Sequence, residues 1–214
     1  MTDRRELATA WARLLAAHPQ ARDVAGTGER LLDRWAEPTR GYHDLTHLAA
    51  VLAHLDELSG HETDAEAVRL AAWYHDAVYA GRPDDEERSA ILAETELGRA
   101  GLRLPPGLVA EVARLVRETK DHDPSPHDRN GEALCDADLA VLAADARTYD
   151  AYVRGVRTDY AHLPDAVFRA GRSSFVHATL DSPALFRTPY GQQHWEARAR
   201  ANLARELLAY TEGN

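Results

Sequence analysis

The chain has 214 residues, 44% of them hydrophobic, and a formal net charge of -10 from 35 Asp plus Glu against 25 Lys plus Arg. That length suffices for one domain with a substantial core. The acidic balance speaks against stable DNA or RNA binding, which rests on neutralising phosphates, but leaves room for a small anionic substrate.

The single cysteine, Cys135, excludes an intrachain disulfide and fits a reducing compartment. No stretch reaches the roughly 20 apolar residues of a membrane span. The N-terminal MTDRRELATAWARLL lacks the apolar run of a signal peptide. A cytoplasmic protein without membrane contact is expected, and homo-oligomerisation is left open.

In chain order the elements read as helices. Leu7, Trp11, Leu14 and Leu15 follow the three-to-four spacing of an amphipathic helix. A short helical piece around Leu31–Trp35 ends at Pro38. Asp44 is placed to cap a helix carrying Leu48, Val51, Leu52, Leu55 and Leu58. The next runs from near Asp64 to about Val78, followed by the Gly81-Arg82-Pro83 loop. Asp84 is placed to cap a helix that stops near Gly101, and Pro105-Pro106 opens another. Asp121 to Gly131 reads as a loop. Helices are then expected around Glu132–Leu142, Asp145–Leu163, Pro164–Leu180 and Gln193–Tyr210. Strand alternation is absent, so the fold class is all-α.

Polar residues at positions that the helical period assigns to the core are candidates for function. His47 shares a face with Val51, and His75 shares one with Val68, Ala71 and Ala72. Asp76 follows about 100° further round the helix. Asp138 lies four after Leu134, three before Val141 and four before Leu142, where a carboxylate is costly unless paired or metal-bound. Two imidazoles and two carboxylates suit one divalent ion, with Mn, Fe, Co, Ni, Zn or Mg all compatible. Within Asp136-Ala-Asp138 the leucine face favours Asp138. Asp136 points elsewhere and is a candidate to orient a histidine.

His47, His75-Asp76 in AAWYHDAVY and Asp138 in CDADLAVL resemble the H…HD…D motif of the HD superfamily of metal-dependent phosphohydrolases. The likeness is closer to a bacterial subgroup of predicted HD phosphohydrolases, with segments similar to RGYHDLTHL, DDEERSA, ETKDH and YVRGVRTDYAHLP, from about Trp11 to Leu208. The resemblance implies one HD-type helical bundle over residues 1–214. Its metal-binding core would span about 40–145, with added N-terminal helices and C-terminal helices at about 145–212 packing on it. It implies hydrolysis of a phosphomonoester or phosphoanhydride of a nucleotide or other small metabolite. Binuclear relatives add two histidines between the HD pair and the last Asp. His122 and His127 lie in that interval, which leaves a second ion open.

Around this centre, His43, His122 and Lys120 are candidates for proton transfer and Asp76 for orienting the attacking water. Thr119, Glu86, Arg172 and Arg157 are candidates for substrate contact, the arginines as phosphate forks. A diiron oxygenase and a non-catalytic nucleotide-binding or metal-stabilised module are the alternatives.

Overall fold

The computed structural model describes residues 3–212. Among them the chain is all-helical, as expected, with no strand. The helices are α1 (Arg4–Leu14), α2 (Val24–Trp35), α3 (Leu45–Glu57), α4 (Ala65–Tyr74), α5 (Asp85–Leu97) and α6 (Pro106–Glu118). There follow α7 (Arg129–Leu139), α8 (Ala146–Asp159), α9 (Asp165–Asp181), α10 (Pro189–His194) and α11 (Glu196–Glu212). Single 3-10 turns follow α1 and α7. No helix is long and apolar enough to cross a membrane among the described residues.

Local chemistry sets most boundaries. The Asp44 carboxylate accepts from the Thr46 and His47 amides, so the cap that starts α3 also fixes where His47 points. Asp64, Asp128 and Asp145 cap α4, α7 and α8 in the same way. Several boundaries differ from the sequence reading. α2 starts at Val24, well before the short piece expected around Leu31–Trp35. Asp84 makes no side-chain cap; its neighbour Asp85 is buried and accepts from the Ala80 and Arg82 amides, tying down the preceding turn. α4 stops at Tyr74, so His75 is its C-cap. The Asp128 cap starts α7 at Arg129, before Glu132. The last expected helix is two: Thr188 caps α10, with Pro189 at its first turn, ahead of α11.

α4 is the centre of the bundle. Val68, Leu70, Ala71, Ala72, Trp73 and Tyr74 are all buried, and the helix touches α1, α3, α5, α6 and α7. Its last turn, Leu70 to Tyr74, is buried all round, as the inside of a bundle requires, and it delivers His75 and Asp76. The C-terminal helices pack against this body through α11, which lies on α9 and on the 3-10 turn after α7. There Asn202 Nδ2 donates to the Leu142 and Ala144 carbonyls, at 2.9 Å each.

Two glycines let the segment before α3 lie directly on α8. A Cβ at Gly41 would sit 2.3 Å from the Gly155 carbonyl, and one at Gly155 would sit 2.7 Å from the Gly41 carbonyl. A mid-helix glycine costs about 1 kcal/mol relative to alanine, so this helix gives up local stability for a close backbone approach.

Arg172 is joined to α11 by a buried ion pair. Its Nε and Nη2 reach Glu206 Oε1 and Oε2 at 2.8 and 3.0 Å, with both side chains under a tenth exposed. Tyr149 and Tyr210 also donate to Glu206. Glu206→Ala should therefore lower the unfolding free energy by about 3–5 kcal/mol, because it strands a buried guanidinium. Asp165→Ala, which breaks the exposed pair with Arg157 and leaves the arginine's bonds to the Tyr160 and Leu163 carbonyls, should cost about 1 kcal/mol or less. Urea titration of both variants checks the contrast, and equal losses would refute it.

Candidate metal centre

Three helices and one turn aim four side chains at one point. His47 comes from the first turn of α3, His75 and Asp76 from the end of α4, and Asp138 from the last turn of α7. His47 Nε2 lies 3.1 Å from His75 Nε2 and 3.1 Å from Asp138 Oδ1. His75 Nε2 lies 3.5 Å from Asp138 Oδ1 and 3.3 Å from Asp76 Oδ2, and His47 Nε2 lies 3.9 Å from Asp76 Oδ2. Donors at about 2.1 Å from one ion, at angles between square and tetrahedral, lie about 3.0–3.4 Å apart. His47, His75 and Asp76 form a group that could hold a metal ion. The imidazoles are buried, while the Asp76 and Asp138 side chains are 14% and 13% exposed, on the side that opens to a cavity.

The far side of each ring is held. His75 Nδ1 is 2.9 Å from the Ala72 carbonyl, which only accepts, so Nδ1 carries the proton and neutral His75 presents a lone pair at Nε2. His47 Nδ1 meets Tyr42 Oη at 3.0 Å. Trp35 lies beneath both rings, with centroids 6.1 and 5.3 Å from His47 and His75, and its indole N–H donates to the Trp73 carbonyl. Asp138 turns its second oxygen to His122 Nε2 at 2.8 Å. His122 has a left-handed backbone, φ 50°, where glycine is cheaper by about 1 kcal/mol; the bond to Asp138 is a reason for a histidine to stand there.

Burial pulls His75 down, but Asp76 and Asp138 outweigh it and hold it up at about 9. Burial lowers His47 despite Asp138. Burial pushes Asp138 up, yet His75, His122 and His47 carry it well below the usual carboxylate range. An ion must therefore displace the His75 proton. Metal affinity should rise with pH by up to about tenfold per unit and level off above about 9. The metal-free fold shows the opposite sign: the raised His75 stabilises it below the unfolded value of about 6.5, and that contribution is lost as pH passes about 9. Chelator competition at several pH values checks the first expectation; an affinity flat from neutrality upward would contradict it.

The cavity beside the centre has a volume of about 440 Å³. Of the residues expected around the site, His43, Asp76, Glu86, Thr119, Lys120, His122 and Asp138 line it. The Thr119 hydroxyl donates to the Val116 carbonyl at 2.8 Å. Glu86 is pushed up by burial, then by Asp76 and Asp85, with Lys120 opposing.

Other expectations need correction. Arg172 reaches the cavity wall, but its fork is closed on Glu206, and its Nη1 donates to Tyr152 Oη at 2.8 Å. Arg157 is not among the lining residues; it clamps the turn before α9 through Asp165 and the Tyr160 and Leu163 carbonyls. Asp136 orients no histidine, because it accepts from the Arg187 and Thr188 amides and the Thr188 hydroxyl. His127 is exposed and away from the cavity.

Sequence reasoning missed Arg40 and Asp159. Buried Arg40 donates through Nη1 to the His43 and Asp76 carbonyls, at 2.9 and 2.8 Å, and through Nη2 to the Ala77 carbonyl. It thereby joins the segment before α3 to the His-Asp pair. Asp159, at the end of α8, accepts from the Gly41 amide and from His43 Nδ1, the latter at 2.7 Å. His43 stacks on Tyr79 and sets its Nε2 4.0 Å from Asp76 Oδ2. Arg40 stands in the RGYHDLTH segment that drew attention to His43 and His47, but nothing in its spacing marked it.

Compared with protein-family models, with curated proteins and with solved structures, the chain matches none.

Proposed function

We propose that this chain is a metal-dependent phosphohydrolase of the HD type, cleaving a phosphomonoester or phosphoanhydride with water. The observation that carries the reading is the convergence of His47, His75, Asp76 and Asp138 at one end of a cavity of about 440 Å³. Nitrogen and oxygen donors in that mixture fit a divalent transition ion, and the carboxylates fit Mg. Such an ion, when bound, polarises a phosphoryl oxygen and makes a water acidic enough to attack.

The chain's own groups then have separable tasks. Asp76 has one oxygen toward the histidines and lies at the cavity, where it can orient the attacking water. His122 fixes Asp138. His43, oriented by Asp159, faces the cavity and can deliver a proton to the leaving oxygen. Lys120, also on the cavity, offsets phosphate charge. The partner is a small phosphorylated molecule, and the setting is cytoplasmic.

Asp76→Ala should lower metal content and reduce metal-dependent phosphate release by at least about a hundredfold. Asp159→Asn should keep the metal but lower kcat about tenfold to a hundredfold and alter the pH profile, since it acts through His43. The checks are metal analysis by mass spectrometry and phosphate release with Mn²⁺, Co²⁺ or Ni²⁺ added. Unchanged turnover with full metal content in Asp76→Ala would refute the proposal. Ligand binding without turnover in the native chain would favour a non-catalytic module.

A further inference from the structure

The cavity that opens beside the metal centre is two-sided. One end is polar, with Asp76, Asp138, His43 and His122. The other is a greasy wall along α8 and α9, built by Val156, Leu163, Val167, Phe168 and Phe175. Two of these wall residues are partly exposed: Val167 is 53% and Phe175 38% exposed, the latter with the Arg172 guanidinium over one side of its ring. They lie eight positions apart on α9, two turns along one face, with Gly171 midway between them.

A Cβ at Gly171 would meet nothing within 4 Å, so no packing contact explains the missing side chain. The gap instead leaves an open trough between Val167 and Phe175, in the wall of the same cavity that Asp76 and Asp138 line. Exposed apolar surface continuous with a polar reaction centre is surface that a ligand covers.

Charge limits the polar end of that ligand. Asp76, Glu86 and Asp138 all face the cavity. Against them stands Lys120, the one lysine of the chain. The other cation on the wall, Arg172, is closed on Glu206. With three carboxylates and a single uncommitted ammonium, a divalent ion brings the site only to neutrality, so the few phosphate charges of one monoester are the least costly to hold. A triphosphate or a bis-phosphorylated nucleotide would add charges that no group here answers.

We propose that the substrate is a phosphomonoester of a long aliphatic alcohol, its phosphate at the metal centre and its chain laid along the Val167–Gly171–Phe175 trough. This rests on the phosphohydrolase reading for the head group only. In the reaction, water adds to phosphorus and the bond from phosphorus to the alkoxy oxygen breaks. One proton of the water goes to the departing alcohol, and inorganic phosphate remains.

The test uses n-alkyl phosphates from ethyl to dodecyl, kept below micelle-forming concentrations, with the full Mn²⁺-loaded chain. kcat/KM should rise about threefold per added methylene until the trough is full, and octyl phosphate should exceed AMP and ATP. Gly171→Leu, whose side chain enters open space, should abolish most of the gain for octyl phosphate while changing ethyl phosphate less than about threefold. In parallel, calorimetry with n-alkylphosphonates, which cannot be hydrolysed at the P–C bond, should show Kd tightening with chain length.

Hydrolysis with no dependence on chain length, or with a preference for nucleotides, overturns the inference and leaves the phosphohydrolase reading standing. Phosphonate affinity that grows with chain length, without turnover of any phosphate, keeps the trough assignment and refutes hydrolysis. No binding of any alkyl phosphate or phosphonate overturns the trough assignment.

Discussion

Two imidazole nitrogens, His47 Nε2 and His75 Nε2, face each other across 3.1 Å, and that juxtaposition needs a proton or a metal ion between or beside them. In the metal-free chain a proton serves, held by Asp76 and Asp138 on a His75 raised to about 9. In a loaded chain a divalent ion would take its place. Much of the surrounding architecture keeps the two nitrogens there. Asp44 fixes the first turn of α3, the Ala72 carbonyl fixes the ring of His75, Tyr42 meets the back of His47, and Trp35 supports both rings. Burying the last turn of α4 on all sides makes its C-terminus a rigid platform for the pair that follows it.

The parts of this centre that could be read from sequence are those that helical period alone decides. His47 and His75 fall on apolar faces, and Asp138 falls in line with leucines; each does lie where its face points. Period also placed Arg172 inward, and it is buried. What period cannot supply is the partner. An arginine on an apolar stripe can meet a ligand or a carboxylate, and the carboxylate in question, Glu206, lies 34 residues away on α11. The His43–Asp159 pair spans 116 residues and exists because two glycines let backbones touch. His43 is a candidate from the sequence alone, whereas Asp159 carries no signal of its own.

Two of the boundaries misread from sequence have a common cause. Asp85 in place of Asp84, and Asp128 ahead of the expected helix start, are choices among neighbouring acidic residues. The winner is the residue whose carboxylate reaches free amides in three dimensions. Asp136 and Asp138 present the same choice with larger consequences. Asp136 secures the backbone that leads into α10, while Asp138, two residues on, faces the histidines. Two residues, about 200° round the helix, thus separate a structural carboxylate from one at the candidate centre.

The glycine contact between residues 41 and 155 has a mechanical meaning. Side chains at an interface can shift rotamer and absorb small movements, whereas two backbones in direct contact cannot. Any displacement of α8 must carry Asp159, and with it the Gly41 and Tyr42 amides and the ring of His43. Tyr152 and Val156 on the same helix form part of the cavity wall. The cavity wall on α8 and the imidazole of His43 are therefore geared together, so that pressure on one is felt as a change of aim in the other.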